Sequence, residues 1–347
     1  MLDSNFNIIK IFILTTVSFG VSIILTPALT HYLYKYKLGK KIRSDEGTPI
    51  YSKMHADKSG TPTMGGLLIW LTTLILVFLV YFLGKITPVV FIQKLNFLSR
   101  PQTYLPLASL VAAALIGLFD DIIDIRREKG GGLRVRQRLV IFTIIAVVGA
   151  LWFYFKLDWT TIHVPFIGNF DIGAWYIPIF IFIIVATSFS VNEADGLDGL
   201  AGGILLASFV AFGAIALAQG RAELATFCGV IAGALFAFLW FNIPPARFFM
   251  GDTGSMALGV TLGIVAMLTN AALLLPVISL LLVIESGSVI IQVLSKKIRK
   301  KKIFISAPIH HHLEAIGWPE SKIVMRFWII SSVTAVVGVV IYLMDRF

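Results

Sequence analysis

The chain has 347 residues, of which 57% are hydrophobic and 14% charged, and its 29 Lys and Arg residues outnumber its 19 Asp and Glu residues to give a net charge of +10. Soluble domains carry about 25% charged and about 45–50% apolar residues. The composition therefore excludes a soluble enzyme, a disordered chain and a collagen-like protein, and its long apolar blocks indicate many membrane spans.

The apolar blocks, taken in chain order, predict an all-α membrane protein that forms a single domain over residues 1–347. A helical span needs about 20 mostly apolar residues, and the blocks lack the alternation of barrel strands. The sequence predicts ten transmembrane helices: Ile8–Tyr34, Met64–Leu83, Thr103–Phe119, Leu139–Phe155, Trp175–Val191, Leu200–Ala218, Ala222–Phe241, Ser255–Leu268, Ala271–Leu294 and Ile323–Met344.

The Lys and Arg residues predict the orientation of these helices. If the segment after the first helix is inside, 21 of the 29 basic residues fall inside, as the positive-inside rule requires. Both termini are then extracytoplasmic. The same rule does not explain why 13 of the 19 acids are also inside, so we expect polar chemistry at the cytoplasmic face. Nucleic-acid binding is not expected, because the charge lies in loops between apolar blocks.

Two adjacent acids, Asp120 and Asp121, follow the third apolar block. Neighbouring carboxylates repel one another and need a cation or bulk water. They are either a solvated pair at a helix end or part of a magnesium site, since Mg²⁺ prefers one or two carboxylates together with phosphate and water. The basic cluster 126–138 suits a polyphosphate ligand or anionic lipid headgroups.

A polar stretch, Asn192–Leu200, separates two predicted helices. Its acids, among them Asp195 and Asp198, have no basic neighbour within the stretch. Such acids are costly near a membrane unless a cation arrives from elsewhere. The stretch is therefore either a structural turn or part of a cation-dependent site.

The stretch Arg247–Ser255 precedes the eighth predicted helix. Asp252 either caps that helix or belongs to a phosphate or metal–phosphate site at its N-terminus. Phe248 and Phe249 are either anchors at the membrane interface or, for one of them, a ring that stacks on a nucleobase.

Three consecutive histidines, His310, His311 and His312, precede the last predicted helix. They cannot all face one zinc ion without unusual geometry, so they either contact pyrophosphate, assist proton transfer or form a surface loop. Lys58 opens a glycine-rich stretch that lacks the P-loop order, so ATP binding is not supported. Glu285 lies in the middle of a predicted span, which indicates a functional or internally paired residue.

Together these stretches resemble the phospho-N-acetylmuramoyl-pentapeptide-transferase family, one branch of the polyprenyl-phosphate N-acetylhexosamine-1-phosphate transferases. The matching stretches are 58–66, 117–121, 192–201, 241–255, 308–314 and 317–328. The histidine triplet and the stretch 60–66 favour this branch over the UDP-GlcNAc polyprenyl-phosphate GlcNAc-1-phosphate transferases, which remain the alternative.

The resemblance implies magnesium-dependent transfer of phospho-MurNAc-pentapeptide from UDP-MurNAc-pentapeptide to undecaprenyl phosphate, giving lipid I and UMP in peptidoglycan biosynthesis. It implies a multi-pass enzyme of the bacterial cell membrane with its active site facing the cytoplasm, a broken ninth helix and a homodimer. Direct attack by the lipid phosphate and a two-step route both fit; direct attack is favoured because no carboxylate is singled out as a nucleophile.

The resemblance also implies roles for single residues, with Asp120 as the base for the lipid phosphate and Phe249 stacked on uracil. The implied catalytic residues are Asp120, Asp121, Asp252, His310, His311 and His312. The implied substrate-binding residues are Lys58, Thr63, Asn192, Asp195, Asp198, Asn242 and Phe249. The implied magnesium ligands are Asp252, Asn192 and Asp195.

The sequence departs from the family pattern at four places. Asp124 replaces a Lys, Leu313 replaces a Phe, Phe189 replaces an Asn, and residues 48–54 look like a short insertion. A transporter or flippase is the rival from another functional class. It predicts polar residues along several spans, whereas Glu285 is the single acid deep in a predicted span.

Overall fold

The computed structural model describes residues 2–39, 58, 60–100, 102–127 and 132–346, so the predicted insertion at 48–54 lies outside the described residues. The chain is mostly helical. In chain order the helices are α1 (Leu2–Lys35), α2 (Leu67–Ile86), α3 (Val90–Leu95), α4 (Tyr104–Arg126), α5 (Val135–Lys156), α6 (Tyr176–Ala194), α7 (Leu200–Ala218), α8 (Ala222–Asn242), α9 (Asp252–Leu268), α10 (Leu275–Ile278), α11 (Leu280–Ile298), α12 (Ile309–Ala315) and α13 (Glu320–Met344).

A small hairpin between α5 and α6 departs from the all-α prediction. Its strands, β1 (Thr161–Val164) and β2 (Gly168–Asp171), pair antiparallel with Thr161 opposite Asp171. Each strand has four residues, whereas a membrane-crossing strand needs about 9–11. The hairpin is therefore a connection outside the bilayer.

The ten predicted spans fall into three groups in the structure: eight long helices, one broken helix and one shorter helix. Eight described helices are long and apolar enough to cross a membrane, namely α1, α2, α4, α5, α6, α7, α8 and α13. The ninth block is broken, since α11 is bent by 84° relative to the segment that ends with α10. The eighth block is α9, a shorter apolar helix of 17 residues.

Several predicted helix boundaries differ from the structure, and three of the differences involve predicted site residues. Helix α4 continues to Arg126, so Asp120 and Asp121 lie inside it rather than after it. Helix α6 continues through Asn192, and α9 begins at Asp252 rather than at Ser255. The apolar run marks the part of a helix that matches the hydrocarbon layer, and the helix continues beyond it into polar residues.

Helix α9 is the buried centre of the fold. Every residue from Thr253 to Leu268 is buried, and α9 packs against α4 and α6. The approach to α4 is very close at Gly117, where an added Cβ would lie 2.2 Å from the backbone oxygen of Asp252. A side chain at Gly117 would push these helices apart. This contact places the acids of α4 beside the first residue of α9.

The outer helices present apolar side chains outward, as a lipid-facing surface requires. Phe12 on α1, Val148 on α5 and Val336 on α13 are each more than 60% exposed. In water such side chains would form a large apolar surface, which monomeric soluble proteins rarely expose. This pattern agrees with the predicted multi-pass membrane protein.

Candidate active site

Arg138, in the first turn of α5, joins polar side chains from three other helices. Its Nη2 lies 2.6 Å from Oδ2 of Asp252 and 2.9 Å from Oδ2 of Asp120. Its Nη1 donates to Oδ1 of Asn192 over 2.7 Å. One guanidinium therefore offsets two carboxylates that would otherwise repel each other.

Asn192 completes this cluster from the last turn of α6. Its Nδ2 donates to Oδ1 of Asp252 over 2.6 Å and to Oγ of Ser255 over 3.1 Å. The two oxygens of Asp252 are thus held by different partners, with Asn192 on one and Arg138 on the other. Asp252 is fixed in orientation before any ligand binds, which is the arrangement a preorganised site requires. We call Asp120, Arg138, Asn192 and Asp252 the Arg138 cluster.

The two adjacent acids of α4, Asp120 and Asp121, have different partners. Asp121 caps α9: its Oδ1 accepts the backbone N–H of Asp252 and its Oδ2 that of Thr253, each over 3.0 Å. The Thr63 hydroxyl adds a longer bond of 3.4 Å to Asp121. One of the two alternatives for Asp252 was that it caps α9, whereas the cap comes from another helix. A carboxylate here also interacts favourably with the helix dipole.

Asp120 belongs to the Arg138 cluster instead. It is fully buried, and besides Arg138 it accepts the backbone N–H of Leu133, which lies just before α5. Of the two alternatives left open by the sequence, the solvated pair at a helix end is therefore wrong for Asp120. Its Oδ1 accepts from Leu133 and its Oδ2 lies beside Arg138.

Lys58 supplies the cation that the acids of the 192–200 stretch lack. Its Nζ lies 2.8 Å from Oδ1 of Asp198 and 2.5 Å from Oε1 of Glu320. Burial disfavours the charged ammonium, but the hydrogen bonds and charges of Asp198 and Glu320 outweigh this, so the pKa of Lys58 is raised above its ordinary value. Lys58 therefore stays charged throughout the physiological range.

Asn242 and Phe249 lie on the same side of the fold as Lys58. Asn242 accepts the N–H of Gly199 over 2.9 Å and donates to the carbonyl of Phe248 over 2.8 Å. Phe249 is half-buried, and its backbone pairs with Pro62 and Gly65. Asn242 thus connects the 192–200 stretch to the segment that carries Phe249.

Phe248 does not have the predicted interface position. It is completely buried and packs near Phe238 and Phe241, with ring centroids 5.9 and 6.2 Å away. The prediction that it anchors the protein at the membrane interface is wrong. Of the two neighbouring rings, Phe249 is the one that is left partly exposed.

The three histidines face three different partners. His310 is hydrogen-bonded to Glu285 over 2.8 Å, and His311 to Glu314 over 2.7 Å. The Nδ1 of His312 accepts the N–H of Ile305 over 3.3 Å. This divergence agrees with the sequence argument against a shared zinc ion. It also shows that Glu285, left open by the sequence, is paired internally with His310.

A magnesium site must be judged from the oxygen atoms that converge. Within the described residues no group of three or more His, Cys, Asp or Glu side chains is arranged to hold a metal ion. Mg²⁺ does not need such a group, because it binds through one or two carboxylates plus substrate phosphates and water. Oxygens of Asp252, Asn192 and Asp120 already surround a cationic group, so this donor set fits a cation. Asp195, just after α6, remains a predicted ligand.

The sequence did not single out one cation and one acid that organise the site, Arg138 and Glu320. Arg138 was one of several arginines in the cluster 126–138, and nothing distinguished it from its neighbours. Glu320 was not singled out, although it accepts from Lys58 and from the backbone N–H of Asp198 over 2.7 Å. The absence of a basic residue from the 192–200 stretch was the signal that Asp198 pairs with a cation from elsewhere in the chain.

Comparisons with known proteins bear on these residues. Residues 103–270 match the model of glycosyl transferase family 4, and residues 58–69 match the phospho-N-acetylmuramoyl-pentapeptide-transferase signature 1. The phospho-N-acetylmuramoyl-pentapeptide-transferase of Clostridium perfringens (strain 13 / Type A) is 40% identical over 326 residues, covering 93% of this chain and 96% of its own. That of Geobacillus thermodenitrificans is 40% identical over 334 residues, covering 95% and 97%.

The chain belongs to the phospho-N-acetylmuramoyl-pentapeptide-transferase family. The resemblance read from the sequence is thereby confirmed. A third member, from Bacillus pumilus, is 38% identical over 332 residues. The family signature begins at Lys58 and includes Thr63, and the Arg138 cluster lies within residues 103–270. The Arg138 cluster, Lys58 and Thr63 therefore lie in the segments that the family models match.

Proposed function

We propose that this protein transfers phospho-MurNAc-pentapeptide from UDP-MurNAc-pentapeptide to undecaprenyl phosphate, releasing UMP and forming lipid I for peptidoglycan. Family membership supports the reaction. The Arg138 cluster supports a site for this reaction, because α4, α6 and α9 bring two carboxylates and an amide around one half-buried cation on α5. Such a cluster suits a diphosphate and the metal ion that accompanies it.

The reaction exchanges one phosphoanhydride bond for another. An oxygen of the lipid phosphate bonds to the phosphorus attached to the sugar. The bond from that phosphorus to the bridging oxygen breaks, and UMP leaves with that oxygen. Negative charge develops on the leaving phosphate, so fixed cations and hydrogen-bond donors nearby lower the barrier. Arg138 is positioned to supply one such cation.

We propose that the reaction depends on Mg²⁺. Asp252 and Asn192 would hold the ion together with phosphate oxygens of the donor, and Asp195 is the predicted further ligand. When bound, magnesium neutralises charge on the diphosphate. The protein contributes the orientation of Asp252, which Asn192 and Arg138 fix from opposite sides. Asp120 is the proposed base for the lipid phosphate, and Arg138 holds it in place.

The nucleoside end of the donor is proposed to lie beside Lys58 and Asp198. Asn242 ties the 192–200 stretch to the segment of Phe249, and the Phe249 ring is proposed to stack on uracil. Thr63 supports this region through its contact with the helix-capping Asp121. His311 and His312 are proposed to act on the sugar-phosphate side of the site.

The proposed arrangement in the cell follows the charge distribution. We place the protein in the bacterial cell membrane with ten spans, both termini extracytoplasmic and the Arg138 cluster facing the cytoplasm. The ten spans are the eight long helices, the broken pair and α9. A single domain and a homodimer complete the proposal, the latter on the resemblance alone.

Release of UMP by the purified protein tests the reaction class and its metal dependence. We expect release only when UDP-MurNAc-pentapeptide, undecaprenyl phosphate and Mg²⁺ are all present, with loss on chelation and recovery when Mg²⁺ is restored. Release of many UMP molecules per enzyme without the lipid acceptor would contradict a transferase. Release that persists in excess chelator would contradict the metal dependence.

A further inference from the structure

A buried hydrogen-bonded pair links the broken helix to the histidine triplet. Nδ1 of His310 lies 2.8 Å from Oε2 of Glu285, and both side chains are completely buried. Glu285 is on α11, the second half of the broken ninth helix, and His310 is on α12. A buried acid in a membrane protein requires a partner, and here that partner belongs to the site.

The other edge of the His310 ring faces the stretch between α6 and α7. Its Nε2 is buried and has no hydrogen-bond partner among the described residues. At Gly196 an added Cβ would lie 2.3 Å from this nitrogen, so only glycine lets the ring approach so closely. Gly196 lies between Asp195 and Asp198, two of the predicted substrate-binding residues. The free nitrogen therefore faces the proposed donor site.

The face of α11 that carries Glu285 also holds the segment leading to His310. Two turns along, Gln292 donates to the carbonyl of Phe304 over 2.8 Å and accepts the N–H groups of Ile303 and Phe304, each over 3.0 Å. Residues 303–310 are thus attached to one helix face at both ends. The broken helix positions the histidine segment over the 192–200 stretch.

The hydrogen bond to Glu285 indicates which nitrogen of the His310 ring carries the proton. We assign the proton of this hydrogen bond to Nδ1 of His310, because an ionised carboxylate only accepts hydrogen bonds. With Nδ1 protonated and the ring orientation fixed, Nε2 is the nitrogen presented to a ligand, the same logic by which a carboxylate orients a catalytic histidine. Most buried polar groups are hydrogen-bonded, so the unpartnered Nε2 indicates a place for a ligand atom.

We propose that Glu285 is a positioning residue for the transfer reaction. It holds His310 so that Nε2 meets a phosphate oxygen of the UDP-linked donor, and it does not itself touch the substrate. This inference rests on the proposed function, since it names His310 Nε2 as the contact to the donor diphosphate.

Steady-state kinetics of four variants test the proposal: Glu285→Ala, Glu285→Gln, His310→Ala and the double variant. Loss of an orienting partner costs about 10–100-fold, so we expect kcat of Glu285→Ala to fall by this factor while KM for the donor changes little. Glu285→Gln keeps an oxygen that accepts from Nδ1 and should retain most of the kcat. The double variant should be no slower than His310→Ala, because the two residues act as a unit.

Ser288→Ala is the matched control, because Ser288 is buried one turn along the same helix and its hydroxyl donates to the backbone carbonyl of Glu285. We expect it to keep wild-type kcat. Wild-type kcat in Glu285→Ala, no rescue by Gln, or losses that multiply in the double variant would each overturn the proposal. Thermal unfolding of each variant separates these results from misfolding.

A substrate-free measurement keeps this proposal separate from the proposed function. Nitrogen NMR of the protein labelled at histidine should show His310 with its proton on Nδ1 in the wild type and a changed signal in Glu285→Ala. An unchanged signal would overturn the positioning role even if transfer is observed. If the wild type transfers nothing while the signal changes as expected, the proposed function has failed and the role of the pair in that reaction fails with it.

Discussion

Asp252 is the residue on which the Arg138 cluster depends most. Its two carboxylate oxygens are each held over 2.6 Å, one by Arg138 and the other by Asn192. Its backbone N–H is in turn held by Asp121. The same residue thus begins the most buried helix and presents an oriented carboxylate at the site.

Replacing Asp252 with Asn tests this role with almost no change in size. The variant keeps the shape but loses the charge that would hold Mg²⁺ and the partner of Arg138. We expect kcat for UMP release to fall about 100–1000-fold, the usual cost of losing a preorganised charge-stabilising group.

Asp158→Asn is the control, because Asp158 is exposed between α5 and β1 and has a positive φ of 52° that Asn also tolerates. It should keep wild-type activity. Retained turnover in Asp252→Asn would contradict the assigned role of Asp252.

Lys58 gives a pH prediction with a definite sign. Its pKa is raised above the ordinary 10.5, so its contribution to stability is fully present below pH 10.5 and is lost as the pH rises through the higher folded-state value. The difference in thermal stability between wild type and Lys58→Met should therefore be constant from about pH 7 to pH 9. A difference that shrinks within this window would contradict the ion pairs with Asp198 and Glu320.

The start of α9 shows how one helix supports another. Helix N-termini leave backbone N–H groups without partners, and Asp121 on α4 satisfies those of Asp252 and Thr253. The close approach at Gly117 makes this possible. Asp120, the neighbouring acid, faces Arg138 instead. Adjacent acids of one helix thus have separate partners, the start of α9 for Asp121 and Arg138 for Asp120.

Graded substitution of Asp121 tests the capping role. Asn keeps one accepting oxygen of the two and Ala keeps none, so we expect stability to fall from wild type to Asp121→Asn to Asp121→Ala. The total loss should be about 1–2 kcal/mol, as for other lost helix caps. Activity should fall along with stability because Asp252 loses its support. An Ala variant with wild-type stability and no activity would indicate that Asp121 acts directly in the chemistry.

The sequence predicted the helical blocks well and the polar contacts only in part. Hydrophobic runs identify spans because a helix that crosses the bilayer must be apolar where it meets lipid. They do not show that the helix continues beyond the run, so the sequence did not place Asp120 or Asn192 within a helix. The pair Arg138 and Asp252 is separated by 114 residues, and Lys58 and Glu320 by 262. Such pairings depend on the packing of whole helices. The choice of Phe248 over Phe249 for the core likewise depends on Phe238 and Phe241 of another helix.

Across the whole molecule, the two ends of the helices carry different polar groups. The Arg138 cluster, the Lys58 pairs and the histidine triplet gather at one end. The hairpin lies at the other, where Asp345 after α13 is bonded to His163 and to the N–H of Phe166. This division agrees with the charge count, which assigned most cations and acids to the inside.

Cysteine labelling tests the orientation of this arrangement. Cys228 is the one native cysteine and is buried, so the wild type should give no background with a membrane-impermeant maleimide. Phe166→Cys, at an exposed hairpin position, should label in intact cells stripped of their wall. Lys300→Cys, exposed after α11, should label only after the membrane is opened. The reverse pattern would contradict the proposed topology.

Transfer by the purified protein with two competing donors bears most directly on what the protein does. UDP-MurNAc-pentapeptide and UDP-GlcNAc are supplied together with undecaprenyl phosphate and Mg²⁺, and the lipid-linked product is identified by mass. We expect lipid-linked MurNAc-pentapeptide and UMP. Lipid-linked GlcNAc without the MurNAc-pentapeptide product would contradict the proposed function.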